Sequence, residues 1–175
     1  MVKQTHSFQI SSNCKFGRIP SVLTVEERQR VVDNLNSVDK CWLNRSMCDP
    51  KVPFWTFGAV TYLEGCDSLI KYHQHKDAIN PILKKKVSWL YDITARRMSE
   101  ELGDLVVFDD NLALPGFHIF GPKKGVVMSK QDCFYLQQPL ASIHTDIQYK
   151  EHKEYWSQFK HVDLQNTLSF TMSIK

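Results

Sequence analysis

The sequence predicts an α+β protein in which helices come first and strands gather afterwards. Before Gly103, apolar residues recur at helical spacing. After Gly103, short apolar runs alternate with turn residues, a pattern typical of an antiparallel sheet or roll. At 175 residues the chain has the size of one domain. Residues 1–53 form an arm and a helix in this prediction, and residues 54–175 a long helix followed by strands.

The composition indicates a globular chain with little net charge. Hydrophobic residues make up 42% of it and the formal net charge is +3, which argues against disorder and against a nucleic-acid-binding surface. Residues 1–10 lack the apolar segment of a signal peptide, and no apolar run reaches membrane-span length. Five irregularly spaced cysteines favour free thiols over a disulfide framework or a zinc site. We therefore expect a cytoplasmic protein that binds neither nucleic acid nor membranes.

Two elements are predicted in the N-terminal region. A short strand is expected at Ser7–Ile10. A helix is expected over Val25–Leu35, because Thr24 suits the N-cap position and Glu26–Glu27 suits the positive end of the helix dipole.

The longest predicted element is a helix that runs from Asn80 or Pro81 to Leu102. Its apolar residues follow the 3.6-residue period, and a proline fits the first helical turn. Gly103 is placed to end the helix in the left-handed conformation.

Strands are predicted on both sides of this helix. Phe54–Leu63 is rich in aromatic and β-branched residues, and its Gly58 indicates a bulge or a close backbone approach. In Leu168–Ile174 apolar residues alternate strictly with Ser and Thr, so the hydroxyl side either meets solvent or lines a small polar cavity. Residues Leu112–Phe120 are apolar on both sides of a Pro-Gly turn, and Cys133–Leu136 and Ile143–Gln148 are further strand candidates.

The pair His144 and Asp146 is the main functional candidate. The two residues stand two positions apart in a predicted strand, so their side chains project to the same face. One imidazole and one carboxylate are two thirds of the 2-His-1-carboxylate site of non-haem Fe(II) oxygenases. An exposed strand with a polar side explains the same two residues, and spacing alone favours that simpler interpretation.

The wider order of features resembles the Fe(II)/2-oxoglutarate-dependent oxygenases. A long helix, Pro-Gly-Phe-His at residues 115–118, the His-x-Asp motif and an alternating strand follow one another, as in the first part of that family's double-stranded β-helix, or jelly roll. The resemblance covers about residues 54–175, and only His144-x-Asp146 is a sharp match. It implies an apparently incomplete jelly-roll, cupin-like core with the N-terminal helices packed on it.

The resemblance also implies a chemistry. His144 and Asp146 would bind Fe(II), and 2-oxoglutarate would be converted to succinate and CO2, with ascorbate as an optional addition. The substrate would be a small molecule or an amino acid or peptide with an oxidisable C–H bond. Because Asp146 is retained, hydroxylation or a related oxidation is expected rather than halogenation. Gln137 and Gln148 are candidate polar contacts to cosubstrate or substrate, although solvent-facing glutamines are ordinary.

Two features of the family have no match in this sequence, namely the second histidine ligand and the basic partner of 2-oxoglutarate. His161 comes before the last predicted strand, too early for that ligand. His118 is interpreted as a hydrogen-bonded core or rim histidine, and His73 and His75 as surface residues. We therefore expect this chain to be the N-terminal portion of a longer oxygenase and to be inactive alone.

Two other classes of protein stay open at this stage. One is a non-catalytic, cupin-like binding protein in which His144 and Asp146 are structural. The other is a metal-dependent enzyme of a different type that uses His73, His75 or His118.

Overall fold

The computed structural model describes residues 8–11, 14–16, 19–44, 54–59, 69–120, 129–130 and 170–174. This part of the chain contains two α-helices and five short strands, so the predicted α+β class is confirmed. The predicted order of helices first and strands afterwards is not found here, because four of the five described strands precede the longer helix. In chain order the elements are β1 (Phe8–Ser11), β2 (Cys14–Phe16), α1 (Val25–Asn36), a 3-10 turn (Asp39–Cys41), β3 (Leu43–Asn44), β4 (Phe54–Phe57), α2 (Leu69–Leu102) and β5 (Phe117–Phe120).

Helix α1 begins and ends almost where the sequence predicts. Thr24 is its N-cap, and the Thr24 hydroxyl accepts a hydrogen bond from the Glu27 backbone N–H at 3.2 Å. The Glu27 carboxylate accepts in return from the Thr24 backbone N–H at 2.8 Å, which completes a capping box. The neighbouring Glu26 carboxylate is held ionised, since hydrogen bonds from its own backbone and from Thr24 lower its pKa.

Helix α2 begins at Leu69, so the predicted start at Asn80 or Pro81 was wrong. Pro81 lies inside the helix, where a proline removes one backbone hydrogen bond and costs about 3 kcal/mol. Tertiary contacts offset this cost, because Tyr72 and Asn80 are both buried and both hydrogen-bond the chain that leads into β5. Helix propensity near a proline is a weak signal when such contacts compete with it.

The C-terminal end of α2 follows the prediction. Gly103 has φ +72°, and its N–H donates to the Ser99 carbonyl oxygen at 3.0 Å. This is the single bond of a left-handed helix cap, a conformation that glycine adopts without a Cβ penalty.

A break in α2 is where α1 docks. Val87 has non-helical angles (φ −138°, ψ 22°) and is fully buried. The carbonyl oxygen of Lys86, just before the break, accepts from Asn34 Nδ2 of α1 at 2.9 Å. The Lys86 ammonium group donates to Ser37 Oγ at 2.8 Å. The polar groups next to the break thus tie the two helices together.

The strands form two antiparallel sheets. β1 pairs with β2 in a hairpin, so the predicted strand Ser7–Ile10 is present one residue later than expected. β3, β4 and β5 form a second sheet with β4 in the centre. The ladder of β4 covers Phe54–Phe57 only, and residues 60–63 of the predicted strand lie outside the described residues.

The second sheet has two distinct faces, because residues directly opposite each other in an antiparallel pair project to the same side. One side, here called the helix-packed face, consists of Trp55, Phe57, Phe117 and Ile119. The other, here called the His118 face, consists of Leu43, Phe54, Thr56, His118 and Phe120.

The hydrophobic core lies between the helices and the helix-packed face. Phe57 is fully buried, while Trp55, Phe117 and Ile119 are partly buried against the same cluster. The other buried members of this cluster are Val31, Leu35, Val38, Trp42, Leu83, Val87, Leu90, Tyr91 and Leu114.

The predicted strand Leu168–Ile174 is described only over residues 170–174, which have no regular secondary structure. Part of its alternation is present, since Met172 and Ile174 pack against the core while Thr171 and Ser173 are exposed, but Phe170 of the predicted apolar side is 42% exposed. The exposure of Thr171 and Ser173 favours the interpretation in which the hydroxyl side meets solvent. No described helix is long and apolar enough to cross a membrane.

Candidate functional site

The His118 face carries the described histidine that is best placed for chemistry. In β3, β4 and β5, His118 is the one ionisable side chain, and every other residue is apolar, aromatic, Thr or Asn. Its side chain is exposed, although β5 lies beside the central strand of the sheet. A polar, titratable group is thus presented on an otherwise apolar surface.

The cross-strand partner of His118 holds its ring in place. His118 Nδ1 lies 2.9 Å from Thr56 Oγ1, and Thr56 is only 1% exposed. A buried hydroxyl needs a hydrogen-bond partner, and the register of β4 and β5 places His118 directly opposite it. This confirms the expectation that His118 is hydrogen-bonded. With Nδ1 engaged, the ring directs Nε2 away from Thr56.

Two aromatic side chains lie beside this pair on the same face. Phe54 and Phe120, which are also cross-strand partners, stack with ring centroids 4.8 Å apart and planes 5° apart. The ring of Phe54 also lies 5.5 Å from the His118 ring. Phe120 and Leu43 remain 49% and 48% exposed, so apolar area on this face stays open to solvent.

Helix α2 controls how the chain enters β5. The Asn80 side chain hydrogen-bonds the backbone before β5 in the way a neighbouring strand would. Its Nδ2 donates to the Leu112 carbonyl oxygen at 2.9 Å. Its Oδ1 accepts from the Leu114 N–H at 3.1 Å. One side chain thereby satisfies both the Leu112 carbonyl oxygen and the Leu114 N–H.

Two tyrosines of α2 also hydrogen-bond the segment that leads into β5. Tyr72 accepts from the Ala113 N–H at 2.8 Å, and Tyr91 donates to the Pro115 carbonyl oxygen at 2.8 Å. Burial raises the pKa of the Tyr91 phenol far above its usual range, so it stays protonated and keeps donating. These bonds fix the approach to β5 and hence the register that sets His118 opposite Thr56.

The predicted iron-ligand pair lies in a part of the chain that is not described. His144 and Asp146, the candidate contacts Gln137 and Gln148, and His161 all fall outside the described residues. The same holds for the predicted strands Cys133–Leu136 and Ile143–Gln148.

The other histidines are placed on α2. His73 and His75, predicted to precede a helix, lie inside its N-terminal part, with the His73 ring edge-on to Tyr72 at 5.3 Å. His75 is exposed, as expected, and His73 is half-buried. Within the described ranges, no three His, Cys, Asp or Glu side chains form a group that could hold a metal ion.

Comparisons with protein-family models, with curated proteins and with solved structures found no match for this chain. The functional interpretation therefore rests on its own residues.

Sequence reasoning interpreted His118 as a hydrogen-bonded core or rim histidine and missed Thr56, the residue that orients it. The signal was present in the alternation of Phe54 to Phe57, which places Thr56 on the same face as Phe54. Pairing of that segment with 117–120 is a long-range contact, and no local pattern specifies it.

Proposed function

We propose that this protein is a non-haem Fe(II)/2-oxoglutarate-dependent oxygenase. It would oxidise a C–H bond of a small-molecule, amino-acid or peptide substrate and convert 2-oxoglutarate to succinate and CO2. The observation that carries the proposal is the His144-x-Asp146 motif, within a sequence order that resembles this family. Its core would be a jelly roll, of which the sheet β3–β4–β5 would form part.

The donor set suits the proposed metal. A neutral imidazole from His144 and a carboxylate from Asp146 are ligands that Fe(II) accepts while keeping positions open for a 2-oxo acid and for O2. When bound, the iron would supply the oxidative chemistry. Asp146 must be ionised to bind it, so metal affinity should fall at low pH.

The described sheet supports the proposal by its layering. One face packs on α1 and α2, and the other carries His118 beside the aromatic side chains of Phe54 and Phe120. An enzyme built on an antiparallel roll needs this division, because helices cover the outside while ligands bind in the mouth of the roll. Tyr72, Asn80 and Tyr91 would then hold the segment that leads into β5 through their hydrogen bonds.

The direct test is metal binding by the purified chain. Anaerobic titration with Fe(II), or with Co(II) as a spectroscopic substitute, should show one site. The substitutions H144A and D146A should each weaken binding at least about tenfold, since each removes one of few ligands. H75A is the matched control, because His75 is an exposed histidine on α2.

Two results would contradict the proposal. Absence of any metal affinity would favour a binding protein without a metal, and a site that survives both H144A and D146A would place the metal elsewhere. Succinate release from 2-oxoglutarate, measured with Fe(II) and ascorbate, reports activity separately. Wherever turnover is observed, D146A should abolish it, and the product should be oxygenated rather than chlorinated.

A further inference from the structure

We infer that helix α1 keeps helix α2 broken at Val87, and that through this break α1 controls the segment that leads into β5. With α1 docked, α2 consists of two helical parts, residues 69–86 and 88–102. With α1 released, we expect the two parts to close into one continuous helix. The inference goes beyond the proposed metal chemistry and is independent of it.

The local sequence does not explain the break. Sharp kinks in helices arise at proline, at Gly or Ser pairs, at π-bulges, or where a side chain enters the ladder of backbone hydrogen bonds. Pro81 lies more than one helical turn before Val87, and a proline disturbs the turn that precedes it. Val87 is flanked by Lys86 and Ser88, so no Gly or Ser pair is present, and α2 contains no π-helical turn. The first three causes therefore do not apply.

The fourth cause, an inserted side chain, is present, and α1 supplies it. In a continuous helix the Lys86 carbonyl oxygen accepts from the N–H of Leu90, four residues further on. Asn34 Nδ2 of α1 donates to this same oxygen at 2.9 Å. Asn34 thus competes for the acceptor that would close the helix across Val87.

Further contacts of α1 hold both sides of the break. Before it, the Lys86 ammonium group donates to Ser37 Oγ, just past the end of α1, at 2.8 Å. After it, the Arg30 guanidinium group lies over the Trp89 ring, 4.3 Å from the ring centroid. Val87 itself is fully buried in the cluster that α1 and α2 share. Because one short helix contacts both parts, its release would remove these contacts together.

The two parts of α2 hold neighbouring points of the segment before β5. The first part holds residues 112–114 through Tyr72 and Asn80. The second part holds the Pro115 carbonyl oxygen through Tyr91. A change in the angle between the parts would move these anchors relative to each other, and the short segment cannot keep all of its bonds. Docking of α1 and the position of this segment are therefore coupled, and such coupling is reciprocal.

The test compares two asparagines of α1 in the full chain. Asn34→Leu keeps the approximate size of the side chain but removes its donor, and Asn36→Leu makes the same exchange at an exposed position. Residual dipolar couplings of the α2 amides measure the angle between its two parts, and the ¹³Cα shift of Val87 reports its backbone conformation. In Asn34→Leu we expect the parts to approach a common axis and the Val87 shift to move towards a helical value. Asn36→Leu should change neither.

Hydrogen exchange measures whether the break controls the segment before β5. The Ala113 N–H donates to the Tyr72 hydroxyl and the Leu114 N–H to Asn80 Oδ1. In Asn34→Leu we expect these two amides to exchange about two- to tenfold faster relative to the mean of α2, the worth of one hydrogen bond. Val38→Ala is the control for general destabilisation, because Val38 is buried in the same cluster but lies outside both helices. It should leave the angle unchanged.

A second variant covers the case in which Asn34→Leu does not fold. Arg30→Ala removes only the exposed contact with Trp89, and we expect a smaller change of the angle in the same direction. An unchanged angle in whichever of these two variants folds would overturn the inference. So would a changed angle with wild-type exchange at Ala113 and Leu114, or an equal effect of Asn36→Leu.

Discussion

Gly58 and Gly116 meet backbone to backbone at one end of the β4–β5 pair. A Cβ atom on Gly58 would lie 2.7 Å from the Gly116 Cα, and one on Gly116 would lie 2.7 Å from the Phe57 carbonyl oxygen. Gly58 also has φ +147°, a backbone angle that residues with a side chain rarely adopt. The close approach that its position in the sequence indicated is thus confirmed, and it lies two residues from the Thr56–His118 pair.

The substitution Gly58→Ala should destabilise the protein by about 2–6 kcal/mol. It combines a clash with rigid backbone, worth roughly 1–3 kcal/mol, with backbone strain of similar size. Gly103→Ala is the control, because Gly103 also has a positive φ but a Cβ there would meet nothing within 4 Å. Urea denaturation should show a larger loss for Gly58→Ala, and equal losses would mean that the contact with Gly116 relaxes easily.

Asn80→Ala should weaken both the fold and the approach to β5. The change leaves the Leu112 carbonyl oxygen and the buried Leu114 N–H without their partner, at roughly 1–3 kcal/mol for each unsatisfied group. Hydrogen exchange should speed up in residues 112–120 before it does in α1. Asn36→Ala, an exposed change at the end of α1, should cost less than about 0.5 kcal/mol. Unchanged protection in 112–120 would show that Asn80 does not brace the strand.

Tyr91→Phe should cost about 0.5–1.5 kcal/mol at neutral pH, because it removes the hydrogen bond to the Pro115 carbonyl oxygen. Burial raises the pKa of Tyr91 in the folded state above its ordinary value of 10.0. The unfolded chain therefore releases the phenol proton first. The stability that Tyr91 contributes is fully present below pH 10 and is lost as the pH rises above it.

The wild-type protein should consequently lose more stability than the Tyr91→Phe variant between pH 9 and pH 11. Urea midpoints of both proteins across this range measure the difference, and the phenylalanine variant is its own control for other alkaline effects. Parallel curves would indicate that Tyr91 ionises in the folded state as readily as in the unfolded chain.

Local signals in the sequence were sufficient where the structure is decided locally. Thr24 caps the start of α1 and Gly103 caps the end of α2. Both act through hydrogen bonds to residues at most four positions away, so residue type alone predicted both positions. The prediction that the helix starts at Asn80 or Pro81 was wrong for the opposite reason. Tyr72 and Asn80 contact a segment more than thirty residues further along the chain, and these contacts stabilise a helix that continues through Pro81. Those contacts leave no mark on the local pattern.

The same distinction applies to the candidate site. A strand around His118 could be predicted, and so could a hydrogen bond to its ring, because a histidine among apolar strand residues needs a partner. The identity of that partner depends on strand register, which the sequence does not specify between segments about sixty residues apart. The His144–Asp146 prediction concerns residues outside the described ranges and remains a proposal.

The final prediction concerns Thr56→Val, which keeps the shape of the side chain but removes its hydroxyl. The substitution should cost about 0.5–1.5 kcal/mol, the usual net worth of one hydrogen bond. It should also move the ¹⁵N signal of His118 Nδ1 and broaden the ring signals, because the imidazole loses the contact that fixes its tautomer. Thr56→Ser keeps a hydroxyl at the same position and should restore the Nδ1 signal despite the lost methyl group. If valine left the His118 signals unchanged, the ring would be oriented by its aromatic neighbours, and Thr56 would be a packing residue rather than a positioning one.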